Sequence, residues 1–316
     1  MDSKEKYIML CQTEPSIPIF MQNGWLDAVI TEGVSWQVVL AFDEKKAIIG
    51  ALTFVLKKKM GLTILSEPFL SPFCGVWLKE TDATKRHEYY HFQKKILAEL
   101  IAQLPNFHFA NFRFSTALAD WQPFYWAGFK QTTRYTYQLN LKNSDNLFAQ
   151  FNQNTQRNIR KAEKNFTIKT SGDLETFLKI NRLTFDRQHK ANPIPHSVWQ
   201  NVDAFLSKNE LKTLYFAQNT EGGVEAAVYI VFDKKTAYYL AGGATESGRK
   251  NGAMHFLLNK AIEDTQKRGL EIFDFEGSML QGVESFFRGF NGVLTPYYNV
   301  WKYKNRFWEL LDSFRK

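Results

Sequence analysis

Thr236-Ala237-Tyr238-Tyr239-Leu240 runs into Ala241-Gly242-Gly243-Ala244-Thr245-Glu246-Ser247-Gly248-Arg249-Lys250-Asn251-Gly252, an aromatic strand followed by a loop of small and polar residues. The loop opens a helix whose Met254, Leu257, Leu258, Ala261 and Ile262 form one apolar stripe at helical spacing. Lys267 and Arg268 close that helix and Gly269 follows it, as helix stops require. A second strand, Leu270-Glu271-Ile272-Phe273-Asp274-Phe275-Glu276, ends at Gly277, and Phe286-Phe287-Arg288-Gly289-Phe290-Asn291-Gly292 comes after it. Strand, small-residue loop, helix start and strand together make an anion cradle, because backbone N–H groups and the helix dipole converge on the loop. A plain βαβ unit with a flexible loop fits the same local pattern.

Upstream, Leu211–Ala217 and Val224–Phe232 read as strands around the turn Glu221-Gly222-Gly223. The first half shows the same order. Ser35–Phe42 and Ala47–Leu56 flank a hairpin signal, Leu62–Leu65 is a short strand, Thr84–Leu104 a helix and Phe107–Phe114 a strand. Three pairs of segments match across the halves: Gly50–Leu56 with Glu225–Val231, Phe109–Phe112 with Phe273–Phe275, and Phe124-Tyr125-Trp126-Ala127-Gly128-Phe129 with Ser285-Phe286-Phe287-Arg288-Gly289-Phe290. The pieces keep their order, which predicts two copies of one mixed α/β fold. The seam is expected at Asn140–Asp145, giving domains 1–142 and 143–316. A helical insertion follows the seam, with helices at 155–164, at 173–188 (capped by Ser171 or Asp173) and, beyond Asn192-Pro193-Ile194-Pro195, at 197–206.

Composition bounds what such a chain can do. The 316 residues are 44% hydrophobic, with 28 Phe, 13 Tyr and 8 Trp, enough for two cores. No apolar run reaches the ~20 residues of a membrane helix, and the N-terminus lacks the apolar stretch of a signal peptide. Cys11 and Cys74, the two cysteines, have no metal or redox spacing. A cytoplasmic setting is expected. A net charge of +8 and a pI near 9.2 favour anionic partners.

Three constellations bear on chemistry. Arg157, Arg160, Lys161 and Lys164 fall on one helix face, opposite Ile159 and Ala162. That stripe is either a solvated face or a phosphate-facing one. His87-Glu88-Tyr89-Tyr90-His91 matches the HExxH zinc pattern. Both histidines project away from the apolar stripe of Phe92, Ile96, Leu97, Leu100, Ile101 and Leu104, share their face with Lys94 and Lys95, and lack a third ligand, so no metal is expected. Asp274 and Glu276, two apart on a strand, point to one face and include a candidate base, although Asp274 also suits a turn cap.

Together these residues resemble the Fem-type acyltransferases, peptidoglycan-bridge enzymes built from two tandem GNAT-like folds. The likeness rests on Ile19-Phe20 with Trp25-Leu26-Asp27-Ala28, on Arg157-Asn158-Ile159-Arg160-Lys161-Ala162, on Leu183-Thr184-Phe185-Asp186-Arg187-Gln188 with Pro193 and Pro195, and on Phe273-Asp274-Phe275-Glu276-Gly277 with Phe287-Arg288-Gly289-Phe290-Asn291-Gly292. Arg288 stands where the family usually has lysine, Glu276 where it usually has glycine, and Gly248–Ala253 is a degenerate GNAT pyrophosphate loop. The resemblance implies a mixed α/β sheet in each of two domains, a donor channel in the second copy and an acceptor cleft between the copies. It implies N-acyl or N-aminoacyl transfer to an amine, carried by a cell-wall precursor linked to a nucleotide. The donor is acyl-CoA or aminoacyl-tRNA, with no permanent cofactor. Catalytic roles fall to Arg288, Asp274 and Glu276. Binding roles fall to Arg157, Arg160, Lys161, Arg187, Tyr239, Gly248, Arg249, Lys250, Asn251, Gly252 and Phe287. Two alternatives stay open: a CoA-dependent acyltransferase acting on a small metabolite, and a non-catalytic copy of the fold that binds RNA or a nucleotide-sugar.

Overall fold

The structure, a computed structural model, describes all residues except 82–83, 143–145, 171–172, 278 and 314–316. Ser171, one expected cap, and residues 143–145 of the expected seam lie outside the described residues.

The chain forms two compact units. The first begins with α1 (Ser3–Thr13), where Asp2 and Glu5 close a capping box, and α2 (Asn23–Ala28). It continues through β1 (Val34–Phe42), β2 (Ile48–Lys59), β3 (Leu62–Ser66), β4 (Val76–Leu78), α3 (Arg86–Ala102), β5 (Phe109–Arg113) and α4 (Gln122–Trp126). β1, β2 and β3 are antiparallel neighbours, while β5 lies parallel to β3, so a helix must carry the chain between them. That helix is α3. Its Ile96, Leu97 and Leu100 are buried against Leu52, Phe54, Ala110 and Phe112 of the sheet. On the other sheet face Tyr7, Trp36 and Trp77 form a second core, and the Tyr7 hydroxyl donates to the Met21 carbonyl (2.8 Å).

The chain goes on through β6 (Lys130–Asn140), α5 (Gln153–Glu163), β7 (Thr167–Lys169), α6 (Leu174–Asp186), α7 (His196–Lys208), β8 (Lys212–Gln218), β9 (Val224–Phe232), β10 (Thr236–Ala244), α8 (Glu246–Lys250), α9 (Ala253–Lys267), β11 (Ile272–Asp274), α10 (Gln281–Arg288), β12 (Val293–Tyr303) and α11 (Arg306–Ser313). In the second unit the strand order is β7-β8-β9-β10-β11-β6, with only β10 and β11 parallel. α9 bridges that parallel pair and buries the expected stripe of Leu257, Leu258, Ala261 and Ile262. The opposite face is covered by α6 and α7, where Phe177, Trp199 and Tyr229 pack with ring centroids 5.3–5.7 Å apart.

β1-β2-β3-β5-β12 and β8-β9-β10-β11-β6 have the same sequence of antiparallel and parallel pairings, as duplication of one mixed α/β fold requires. The compact units are cut elsewhere than at 142/143. One holds Met1–Arg134 with Pro296–Lys316, the other Tyr135–Thr295. The reason is strand pairing: Asn299–Tyr303 of β12 complete the first unit beside β5, and Gln138–Asn140 of β6 complete the second beside β11.

Two local readings also change. Ala241–Ala244, expected as loop, continue β10, and Glu246–Lys250 are helical. The glycines there serve close packing: a Cβ on Gly243 would lie 2.3 Å from the Ile180 carbonyl oxygen and 2.8 Å from the Asn181 Cα. The matched aromatic motifs end in helices α4 and α10, and their shared glycine is used differently, with Gly128 at φ +82° and Gly289 in the right-handed region at −59°.

Gly243→Ala is expected to lower stability by about 2–3 kcal/mol, since backbone on both sides must give way. Gly282→Ala, in α10 with nothing within 4 Å of the added Cβ, is expected to raise it by about 0.5–1 kcal/mol. Denaturant melts of the two variants check the contrast, and equal effects would remove the packing account.

Candidate functional site

β10 pairs with β11 only at Thr236↔Ile272, Ala237↔Phe273 and Tyr238↔Asp274. Beyond Asp274 the chain turns through Glu276 (φ +59°) and Gly277 (φ +60°). A Cβ on Gly277 would lie 2.0 Å from the Tyr135 carbonyl oxygen, so the turn is pressed onto β6 and needs glycine. β10 meanwhile carries an extra residue, Leu240, because its register with β9 jumps from Tyr239↔Ile230 to Ala241↔Tyr229. Such a bulge bends the strand and interrupts its ladder. The two strands therefore part at Tyr239.

Tyr239 stands where the strands part. Its ring meets Phe287 edge-on at 5.7 Å, and Phe287 packs on Phe275 at 5.3 Å. A Cβ on Gly242 would lie 2.4 Å from the Tyr239 Oη and 3.0 Å from the Met254 Cε, so glycine makes room for the phenol. No group among the described residues hydrogen-bonds the Tyr239 hydroxyl. Desolvation alone raises its pKa well above the ordinary phenol value, leaving it protonated at neutral pH.

The cradle lies at the end of β10. Thr245 caps α8, its Oγ1 accepting from the Gly248 N–H (2.9 Å) and donating to the Glu225 carboxylate. A Cβ on Gly248 would lie 2.2 Å from the Glu225 carbonyl oxygen, and one on Gly252 (φ +80°) 2.4 Å from that of Asn158. The junction is thus clamped between β9 and α5, with α9 starting immediately after it. Lys161 Nζ donates to the Lys250 carbonyl (2.9 Å), Lys250 pairs with Glu246 (2.6 Å), and Asn251 Nδ2 donates to the Ser247 carbonyl (3.1 Å). α6 is fixed on β10 by Asn181 Nδ2 (3.1 Å) and Thr184 Oγ1 (3.4 Å), which both donate to the Gly242 carbonyl. Arg187 follows α6 directly. Burial, and then the nearby charge of Arg249, push its guanidinium pKa down. Among the described residues no carboxylate pairs with Arg187 or Arg249. Two cations that no described carboxylate neutralises are a chemistry suited to an anion.

The other expected residues are placed differently. Arg157 donates to Asn154 Oδ1 (2.8 Å), and Arg160 donates to Gln156 Oε1 (3.3 Å) with its guanidinium over Phe148. Ile159 and Ala162, on the other side of α5, are fully buried. The α5 start docks on the turn after α10, where the Asn152 N–H donates to the Gly289 carbonyl (3.0 Å) and a Cβ on Gly289 would lie 2.4 Å from Thr155 Oγ1. Arg288 is 65% exposed and pairs with Glu284 (3.1 Å), which also accepts from the Tyr137 hydroxyl (2.5 Å). Successive helix residues point about 100° apart, so Phe287 turns to Tyr239 while Arg288 turns to Glu284. Asp274 and Glu276 do not share a sheet face, because the left-handed residue ends the strand alternation. The buried Asp274 carboxylate accepts from Thr136 Oγ1 (2.5 Å), Gln138 Nε2 (2.7 Å) and the Glu276 N–H (2.8 Å), which ties it to the turn. His87 and His91 lie on the exposed face of α3. Nothing in the residue pattern announces the Leu240 bulge. Nor does that pattern mark His255, half-buried between Phe286 and Phe290 with its pKa lowered by burial to about 4.

Residues 149–288 match the family model of the acetyltransferase (GNAT) domain. Among solved structures the chain is similar to FemX, at 14% identity and a TM-score of 0.67, over 94% of this chain and 96% of that one. A tandem GNAT protein from the clavulanic acid biosynthesis pathway aligns at 8% identity and a TM-score of 0.55, over 95% and 93%. L-PGS from Bacillus licheniformis aligns at 11% identity and a TM-score of 0.53, over 89% and 87%. No curated protein matches the sequence significantly. Identities this low establish the fold alone.

Burial is the leading influence on Asp274 and raises its carboxyl pKa. Its contribution to stability is therefore complete below the unfolded value of about 4 and declines as pH rises through the folded value. Melts from pH 3 to 8 are expected to show the wild type losing ground against Asp274→Asn as pH rises; a wild type that gains ground contradicts this placement.

Proposed function

We propose that this Fem-like tandem GNAT-fold protein is an N-acyltransferase that holds a phosphate-bearing acyl donor along β10 and passes the acyl group to an amine. The observation that carries this reading is the parting of β10 from β11 directly upstream of the two cations that close α8, Arg249 and Lys250. An extended donor arm can add its amides to the strand edge that β11 leaves free. Its phosphates then lie at the start of α9 beside Arg249 and Arg187.

The reacting carbonyl falls at the bulge, where Leu240 has no register partner and its N–H supplies a donor for the developing oxyanion. A neutral amine bonds to the carbonyl carbon and the bond to the leaving sulfur breaks. The thiolate takes the Tyr239 proton, and the proton shed by the new amide nitrogen restores the phenol. A phenol is protonated at neutral pH, as this acid role requires. Asp274 holds the turn that keeps the strands apart, and Phe275 and Phe287 dry the opening.

Acyl-CoA is the donor this site favours. Arg187 and Arg249, close enough for the charge of one to lower the pKa of the other, offer two cations to a diphosphate. The basic face of α5, which an RNA would need, is partly engaged by Asn154, Gln156 and the Lys250 carbonyl. The Fem-type resemblance makes an amine on a peptidoglycan precursor the first acceptor to test, in a cytoplasmic setting. Thermal shifts should therefore follow acetyl-CoA with a weak salt dependence. A shift given only by charged tRNA, falling steeply with salt, would replace the donor.

Once a substrate pair turns over, Tyr239→Phe is expected to lower kcat about a hundredfold with little change in KM for the donor. Arg187→Ala and Arg249→Ala should each raise that KM by about five- to a hundredfold and leave kcat near the wild-type value. Arg288→Ala should cost less than about tenfold in kcat, since its partner is Glu284. A hundredfold loss there, with an unimpaired Tyr239→Phe, would move the oxyanion role to Arg288.

A further inference from the structure

Lys57-Lys58-Lys59-Met60-Gly61 closes the β2–β3 hairpin of the first unit. The register Lys59↔Leu62 leaves Met60 and Gly61 as a two-residue turn, and both are left-handed, with φ of +50° and +76°. Such a turn favours Asn, Asp or Gly at its first position. Here methionine takes it, at a backbone cost, and its side chain is 91% exposed. Lys58 and Lys59 are exposed, while Lys57 is half-buried with its ammonium 5.3 Å from the Phe69 ring centre. Among the described residues no carboxylate pairs with any of the three.

The second unit provides an internal comparison. Its equivalent connection, between β9 and β10, is Asp233-Lys234-Lys235, and Asp233 Oδ1 accepts from the N–H groups of Lys235 (3.0 Å) and Thr236 (2.8 Å). That turn satisfies its own backbone and has no apolar tip. The fold therefore does not call for three lysines and an exposed methionine at this place.

We infer that the β2–β3 tip is a peripheral attachment point for an anionic lipid bilayer. Met60 enters the boundary between headgroups and acyl chains, and Lys58 and Lys59 remain among the lipid phosphates with their stems alongside it. An apolar tip ringed by cations matches a surface whose anionic layer overlies an apolar one. A nucleic acid backbone offers the anions without an apolar layer for Met60.

Co-sedimentation of the full chain with phosphatidylglycerol–phosphatidylcholine vesicles, against phosphatidylcholine alone, tests this. The wild type is expected to partition onto the anionic vesicles only. Met60→Asn fits the left-handed turn better, so its melting temperature should hold or rise while its partition coefficient falls about five- to tenfold. Lys58→Glu/Lys59→Glu should lower partition at least about twentyfold, whereas Lys234→Glu, a charge reversal at the equivalent turn, should leave it within about twofold. Equal partition by Met60→Asn and wild type, an equal loss in Lys234→Glu, or no wild-type partition at low salt would each overturn the proposal. So would loss of transfer RNA binding, rather than vesicle binding, in the double variant.

Discussion

β10 continues where β11 stops, and the candidate site depends on that mismatch. Buried backbone polar groups must find partners, so a strand that loses its neighbour needs something else along that edge. Three features hold the strands apart. The Asp274 carboxylate gathers Thr136, Gln138 and the Glu276 N–H at the strand end. The left-handed Glu276-Gly277 turn is pressed against Tyr135. Leu240 bends β10 within its pairing to β9. α6 supports the far end of β10 through the Gly242 carbonyl, and the same helix delivers Arg187 to Arg249.

The first unit shows what the same strand pattern looks like without this opening. β3 and β5 are parallel at Ile64↔Phe109 and Leu65↔Ala110, and β3 then ends at Ser66. Where the second unit has Tyr239 and a free edge, the first has Glu67. That carboxylate takes Arg113 (2.7 Å) and Asn111 (2.7 Å), and Arg113 also donates to the Pro72 carbonyl (3.0 Å). Beyond the short strand the protein places its own ion pair. One ancestral arrangement thus has an open edge in one copy and a polar plug in the other.

The duplication was legible because it rests on local patterns repeated in order, such as Gly50–Leu56 and Glu225–Val231. The unit boundaries were not, since the pairing of β12 with β5 and of β6 with β11 joins residues far apart in sequence. Period-two reasoning put Asp274 and Glu276 on one face, and a single left-handed residue undid it. Gly242 and Gly243 read as loop because glycine signals freedom, while here it signals close packing, of Gly242 on the Tyr239 phenol and of Gly243 on the backbone of α6. The cationic stripe on α5 was visible, but its engagement by Gln156, Asn154 and the Lys250 carbonyl was not. Arg187 entered only through the family resemblance; its meeting with Arg249 is tertiary.

Hydrogen exchange of the full chain with and without saturating acetyl-CoA tests most directly whether the donor lies along β10, because amide protection reports where a ligand closes backbone to solvent. The account predicts protection concentrated in residues 239–256, with a smaller effect at the end of α6 and little change across α5. Protection centred on α5, or none in β10 under conditions where acetyl-CoA is turned over, would contradict it.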